Sequence, residues 1–206
     1  NQADQINQSK LQSLSAPAFT YSAKIEGDFP EHLFPAEKEL VLKEGAQVMF
    51  LKNDTESKKY FNGKIGTVVR LEKDKIVVNS DGVEIEVKHE VWENTRYTIN
   101  RSDEKLQQEV LGTFSQYPLR LAWAITIHKS QGLTFDKVMI DAAASFSSGQ
   151  VYVALSRCTS LDGIVLLTPI PPSAIYTNTH VVNAQSSLAP KGSLADRFAG
   201  ARHVFT

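Results

Sequence analysis

Apolar positions change their spacing several times along the chain, and each change predicts a different element. Between residues 4 and 15, Ile6, Leu11 and Leu14 stand among Asn, Gln and Ser, a thin stripe that predicts a short helix. Phe19-Thr-Tyr-Ser-Ala23 predicts a strand, and residues 26–37, with Gly27, Pro30 and Pro35, predict a loop. From residue 40 to 99 the spacing falls towards two. Residues 44–51, 65–71, 75–79 and 83–87 read as strands, with the turn dipeptides Asn62-Gly63 and Asp81-Gly82 between them. Val91-Trp92 and Tyr97-Thr-Ile99 complete a set of short strands that suits a small antiparallel barrel. Residues 101–111 are polar and predict a linker or short helix.

Residues 119–131 contain no Gly or Pro, and Leu121, Ala124, Ile125 and His128 recur at i, i+3, i+4 and i+7, one face of a helix. Gly132 suits the C-terminal end of that helix, where a left-handed backbone costs nothing without a Cβ. Residues 137–140 predict a short buried strand. His128, Lys129, Ser130 and Gln131 then crowd into a last helical turn, either lining a cleft or forming a solvated helix end. Residues 142–149 read as a loop, 150–157 as a helix, and 163–168 as an apolar strand stopped by Pro169. Residues 171–206 read as a C-terminal extension, poorly ordered or dependent on a partner.

A chain of 206 residues holds one large domain or a domain with an insertion. Its 42% hydrophobic and 22% charged residues are ordinary for a globular protein. The formal net charge of −1 excludes a global basic field, so any nucleic acid must be met by local patches. Cys158 is the single cysteine, so no internal disulfide forms, which fits a reducing, cytoplasmic compartment. No apolar run reaches a membrane span, and the polar N-terminus lacks a signal peptide's apolar core. The histidines are scattered and the cysteine has no partner at ligand spacing, so no metal site is predicted.

Thr126-Ile-His-Lys-Ser-Gln-Gly-Leu-Thr-Phe135 resembles motif V of superfamily-one DNA helicases, and Val153-Ala-Leu-Ser-Arg157 resembles their motif VI. Gly149-Gln150-Val-Tyr-Val-Ala-Leu-Ser-Arg-Cys158 has the flavour of the PIF-type and RecD-like branch, whose members move 5′ to 3′. Asn1-Gln-Ala-Asp-Gln-Ile-Asn7 is similar to the pattern that opens the second motor domain in that family, and the missing initiator Met fits a fragment. The resemblance covers residues 1–170. It implies an α/β fold: a RecA-like, P-loop-NTPase-type parallel-sheet core without the P-loop, carrying an inserted Src-homology-three-like barrel. The implied division assigns residues 1–40 and 112–170 to the motor domain and 41–111 to the barrel.

The resemblance also implies roles. Arg157 is the catalytic arginine finger, reaching the γ-phosphate of ATP held by the other motor domain; by itself it also fits a salt-bridged arginine at a helix C-terminus. A guanidinium suits the task because it is always charged and forks onto phosphate oxygens. Gln131 and Gly132 lie near the same nucleotide, and Gly132 also fits a plain helix cap. Thr134 stands where many relatives have a ribose-binding Glu, which puts that contact in doubt. Thr126, His128, Lys129 and Ser130 fall on the single-stranded DNA side, although His128 also fits a packed histidine. In the barrel, Asn53, Asn62 and Lys64 are DNA candidates. Lysines there outnumber acids, but the interleaved acids fit a solvated face equally well. Trp92 and Phe61 are either stacking platforms or core.

No phosphate loop occurs; Asn62-Gly-Lys-Ile-Gly-Thr67 has the wrong spacing. The resemblance therefore implies ATP and Mg²⁺ as cofactors of a longer protein, with the Mg²⁺ ligands on an N-terminal RecA-like domain absent from this chain. Its partners are that domain and single-stranded DNA, with no membrane. The function expected is the C-terminal portion of an ATP-dependent 5′ to 3′ DNA helicase, inactive alone. A stand-alone, non-catalytic nucleic-acid-binding module is the alternative, and the helicase part of a relaxase or exonuclease complex is a third reading.

Overall fold

The computed structural model describes residues 2–55, 57–99, 106–141, 149–174 and 179–187. The chain divides at Leu133 into two compact units, residues 1–133 and 134–206.

The first unit opens with helix α1 (Gln2–Ser13), which turns Asn7 and Leu11 inward. Strands β1 (Ala18–Ser22) and β2 (Lys24–Gly27) follow. The expected loop over 26–37 is therefore a strand end followed by a 3₁₀ turn at Glu31–Leu33. Next come β3 (Glu39–Lys43) and β4 (Gln47–Phe50), then β5 (Ile65–Glu72), β6 (Lys75–Ser80) and β7 (Val83–Val87). Asp81, at φ 52°, and Gly82, at φ 80°, make the hairpin turn that their types predict. Strands β8 (Glu90–Ile99) and β9 (Leu106–Gln116) pair along their whole lengths, and β10 (Leu119–Leu121) ends the series.

These strands make three antiparallel sheets. β1 pairs with β3, β9 lies between β2 and β8, and the order β10-β4-β5-β6-β7 forms the largest sheet. One continuous core runs through the unit. Leu11 of α1, Tyr21 and Leu42 of the β1–β3 pair, and Phe50, Ile76, Val78 and Ile85 of the large sheet all belong to it. Burying such side chains stabilises by about 1.5–3 kcal/mol each before entropy is counted, so the large sheet and the helix are held as one body.

Two sequence expectations fail here. Residues 119–131 are not a helix: Leu119–Leu121 is a strand, and only a short turn at 127–132 remains. The strand wins because β4 offers a ladder, with Leu119 opposite Phe50, Arg120 opposite Met49 and Leu121 opposite Val48. Tertiary pairing overrides a helical period of only one or two turns. The predicted linker over 101–111 is, from Leu106 onward, the first half of β9; residues 101–105 lie outside the described set.

In the second unit β11 (Val138–Ile140) and β12 (Ile164–Leu166) pair in parallel, Val138 opposite Ile164 and Ile140 opposite Leu166. Helix α2 (Gln150–Leu155) turns Val151 and Ala154 inward. The expected helix to residue 157 ends earlier, although Ser156 N and Arg157 N still donate to Tyr152 O and Ala154 O, at 2.9 and 3.2 Å. Leu161–Gly163 and Pro172–Ala174 are 3₁₀ turns, and α3 spans Thr179–Ser187. The loop over 142–148 and most of the predicted C-terminal extension fall outside the described residues. The chain is thus a mixed α/β protein with both parallel and antiparallel pairing.

Candidate functional site

The turn after β10 is tightly wound. Ser130 N donates to Thr126 O at 3.0 Å, Gln131 N to His128 O at 3.2 Å, and Leu133 N to Ser130 O at 3.0 Å. Thr126 Oγ1 accepts from Lys129 N at 3.3 Å, satisfying a donor that the short turn would otherwise orphan. His128, Lys129 and Gln131 are exposed. His128 is therefore no packed core histidine. Ser130 points the other way: it is buried, and its Oγ donates to Ile127 O at 2.7 Å. Gly132 sits at φ +78° with nothing within 4 Å of where a Cβ would stand beyond its chain neighbours, so it is the left-handed backbone and not crowding that favours glycine there.

Two contacts set the position of this turn. At its entry, Asn7 Nδ2 donates to Ala124 O at 2.8 Å while Asn7 Oδ1 accepts from Ala124 N at 2.9 Å. At its exit, Leu133 is buried against Gly63; a Cβ on Gly63 would lie 2.4 Å from Leu133 Cδ2. The Asn62-Gly63 turn between β4 and β5 therefore abuts the end of the Thr126–Leu133 segment.

A cavity of about 240 Å³ opens beside Thr126 and Lys129, lined also by Asp4, Glu37, Glu39 and Arg120. Arg120 Nε is buried there with no hydrogen-bond partner, the single such side-chain atom among the described residues. The lining mixes two cations with three carboxylates. Arg120 had no distinguishing signal in the sequence; one arginine between two leucines reads as an ordinary strand residue.

The candidates Asn53, Asn62 and Lys64 lie on the loop between β4 and β5. Asn53 is exposed, and its Oδ1 accepts from Asn62 N at 2.8 Å. Asn62 is exposed as well. Lys64 is mostly buried, with 18% of its side chain exposed; its ammonium meets Asp81 Oδ2 at 3.1 Å and donates to Lys59 O at 3.4 Å. Of the two aromatics, Trp92 packs edge-on against Phe114 with Lys52 Nζ 5.2 Å from its ring, whereas Phe61 is 57% exposed.

Arg157 belongs to the second unit and follows α2. Its Nε donates to Val153 O at 2.9 Å and its Nη2 to Ser156 Oγ at 3.0 Å. These bonds fold the guanidinium back over the helix end, where the unpaired carbonyls favour a cation. The backbone is fixed too: Phe135 N donates to Arg157 O at 2.8 Å, Thr159 N donates to Phe135 O at 3.0 Å, and Phe135 and Cys158 form a parallel bridge. Gly163 allows this close approach, since a Cβ there would strike Asp136 O at 2.0 Å. The candidates thus fall into two groups: Thr126 to Gly132 with the Asn53–Lys64 loop in the first unit, and Arg157 in the second.

Within the first unit, the exposed amide of Gln131, the exposed ammonium of Lys129 and the glycine backbone at Gly132 suit an anionic ligand in kind. Among the described residues no group of three His, Cys, Asp or Glu side chains is placed to hold a metal ion. None of the described helices is long and apolar enough to cross a membrane.

The profile of the viral superfamily 1 RNA helicase core domain matches residues 49–165. The chain is 40% identical over 142 residues to the ATP-dependent DNA helicase Pif1 of Bdellovibrio bacteriovorus, covering 68% of this chain and 30% of that protein. It is 38% identical over 161 residues to human PIF1, covering 78% of this chain and 24% of that protein. Unliganded Pif1 from Bacteroides sp. superposes with a TM-score of 0.83 at 41% identity, over 93% of this chain and 44% of that one. Bacteroides Pif1 bound to ssDNA gives 0.70 at 41% identity, over 90% and 43%. The chain therefore spans less than a third of the length of these two curated relatives. With the profile matching more than half of its residues, the chain belongs to the superfamily 1 helicases, in their Pif1-type branch.

Proposed function

We propose that this chain is the C-terminal motor portion of an ATP-dependent 5′ to 3′ DNA helicase. On this reading residues 1–40 and 112–170 form the second RecA-like domain, and 41–111 an inserted barrel. The observation that carries it is the bridge between the two helicase motifs. Phe135, the last residue of one, donates to the carbonyl of Arg157, the last residue of the other, at 2.8 Å. Their spacing in sequence is thereby turned into a fixed backbone position for Arg157.

In this reading Arg157 is the arginine finger. Its guanidinium swings from the carbonyl of Val153 to phosphate oxygens presented by the N-terminal motor domain. Gln131 and the backbone of Gly132 form part of the nucleotide cleft. Thr126, His128 and Lys129 hold single-stranded DNA through its phosphates, without reading sequence. Ser130, buried and bonded to Ile127 O, shapes that turn from beneath. ATP with Mg²⁺ supplies the free energy for stepping, and the phosphate loop and metal ligands lie on the other motor domain.

The test uses the full-length protein with and without Arg157→Ala. DNA-stimulated ATP hydrolysis should fall by about 10³-fold or more while ATP binding persists. Near-normal turnover would make Arg157 structural and overturn its assignment. The 206-residue chain alone should show no ATP turnover; measurable hydrolysis free of contaminating ATPase would contradict the division of labour.

A further inference from the structure

We propose that Phe61, with Lys58 and Lys59, is a base-stacking contact that extends the single-stranded nucleic-acid track from the Thr126 turn onto the β4–β5 loop. The proposal rests on the reading of that turn as part of a DNA track.

Four observations converge on this loop. Its aromatic pair is split: Tyr60 is buried and stacks on Phe50 with ring centroids 4.1 Å apart, whereas its neighbour Phe61 is 57% exposed. The ring of Phe61 is presented from a rigid base. Lys64 N donates to Phe61 O at 3.0 Å, Gly63 N to Phe50 O at 2.8 Å, and Asn53 Oδ1 receives Asn62 N at 2.8 Å. An aromatic on a preorganised turn gives up little entropy on binding.

The charges are arranged to suit a phosphate chain. Asp54 is turned into the loop, accepting from Ser57 N and Lys59 N at 2.9 and 3.0 Å and from Ser57 Oγ. Lys58 and Lys59 are exposed. Lys58 also holds φ +55°, unusual for a lysine and, unlike that of Asp81, not required by a two-residue hairpin turn. Finally, the loop is continuous with the proposed track, because Gly63 abuts Leu133 at the end of the Thr126 turn.

A loop that exposes one aromatic ring and two cations close in sequence suits a flexible strand of stacked bases and phosphates. Bases supply a π-face whatever their identity, so such a contact tolerates any sequence, as a translocating motor needs.

The experiment measures binding of the 206-residue chain to oligo-dT and to an abasic oligonucleotide of equal length, across a salt series. Wild-type protein should prefer oligo-dT. Phe61→Ala should weaken oligo-dT binding about tenfold, leave abasic binding unchanged and keep the salt slope. Phe61→Leu, which retains the apolar bulk, should lose the same preference, and Phe61→Trp should keep it with tryptophan quenching on binding. Lys58→Gln with Lys59→Gln should instead flatten the salt slope by about 1.4. Equal loss on both oligonucleotides, or no loss with Phe61→Ala, would overturn the stacking role, and in the latter case would leave Phe61 to a protein partner. Lys129→Ala separates the two readings: loss there with Phe61→Ala silent rejects this inference and keeps the track. A wild-type chain that binds neither oligonucleotide rejects both.

Discussion

Asn7 and Ala124, 117 residues apart, exchange a reciprocal pair of hydrogen bonds in which the carboxamide stands in for a strand backbone. Asn7 is 7% exposed, so its carboxamide is largely withdrawn from solvent. Removing the side chain leaves Ala124 N–H and C=O without these partners, two residues before Thr126. Asn7→Ala should therefore cost about 2–4 kcal/mol of stability. Asn7→Asp, which keeps the acceptor but loses the donor, should also destabilise. Urea unfolding checks both. Equal stability of wild type and Asn7→Ala would mean that the turn is held by β10 alone.

Gly63 is needed for two separable reasons: φ is +96°, and Leu133 fills the space beside its Cα. Gly63→Ala should destabilise by about 1–3 kcal/mol from the combination. Leu133→Ala in the same chain removes the clash but not the backbone strain. The double mutant should then be more stable than the sum of the single effects predicts. Strict additivity in a double-mutant cycle would show that the two residues are uncoupled.

The Tyr21 hydroxyl donates to Glu72 O at 2.6 Å, and burial, followed by the neighbouring Tyr117, Asp74 and Glu72, pushes its pKa up to about 12 from the usual 10.0. Burial pushes Tyr117 in the same direction. Below pH 10 folded and unfolded states both keep the phenol proton. Between about 10 and 12 the unfolded chain releases it first, so unfolding gains and stability falls with rising pH. Urea midpoints from pH 9 to 12 should drop more steeply for wild type than for Tyr21→Phe. Parallel curves would contradict this assignment of the alkaline loss.

Lys64 is partly neutralised by Asp81, whose own side chain is 82% exposed. Such a pair contributes little, so Asp81→Asn should change stability by less than about 0.5 kcal/mol. If Lys64 meets phosphate, the same substitution should tighten oligonucleotide binding and steepen its salt slope, by up to about 0.7. An unchanged slope would place Lys64 among the structural lysines.

The strands β5 to β7 are legible because two local signals agree: β-branched or alternating apolar residues, as in Val83–Val87, and the turns Asn62-Gly63 and Asp81-Gly82. Leu119–Leu121 fits two readings: Leu119 and Leu121 alternate about Arg120 as in a strand, while Leu121, Ala124, Ile125 and His128 keep a helical period. The partners that decide between them, Val48 to Phe50 and Asn7, are distant in sequence. Leu106 to Val110 carried no strand signal because that part of β9 is exposed and held by its ladder with β8. In the candidate site, residue order points to the Thr126–Gly132 and Arg157 segments. Directions did not show: Ser130 turns inward onto Ile127 O, Lys64 meets the distant Asp81, and Arg120 lines the cavity.

Strand β10 also works as a ruler. It is held to β4 by three residue pairs and runs directly into the Thr126 turn. A slip of one residue would carry the start of that turn about 3.4 Å along the sheet and send Arg120 to the opposite face. The distance between the β4–β5 loop and the turn is therefore counted in whole residues, so a strand of nucleotides held by both would meet a fixed gauge.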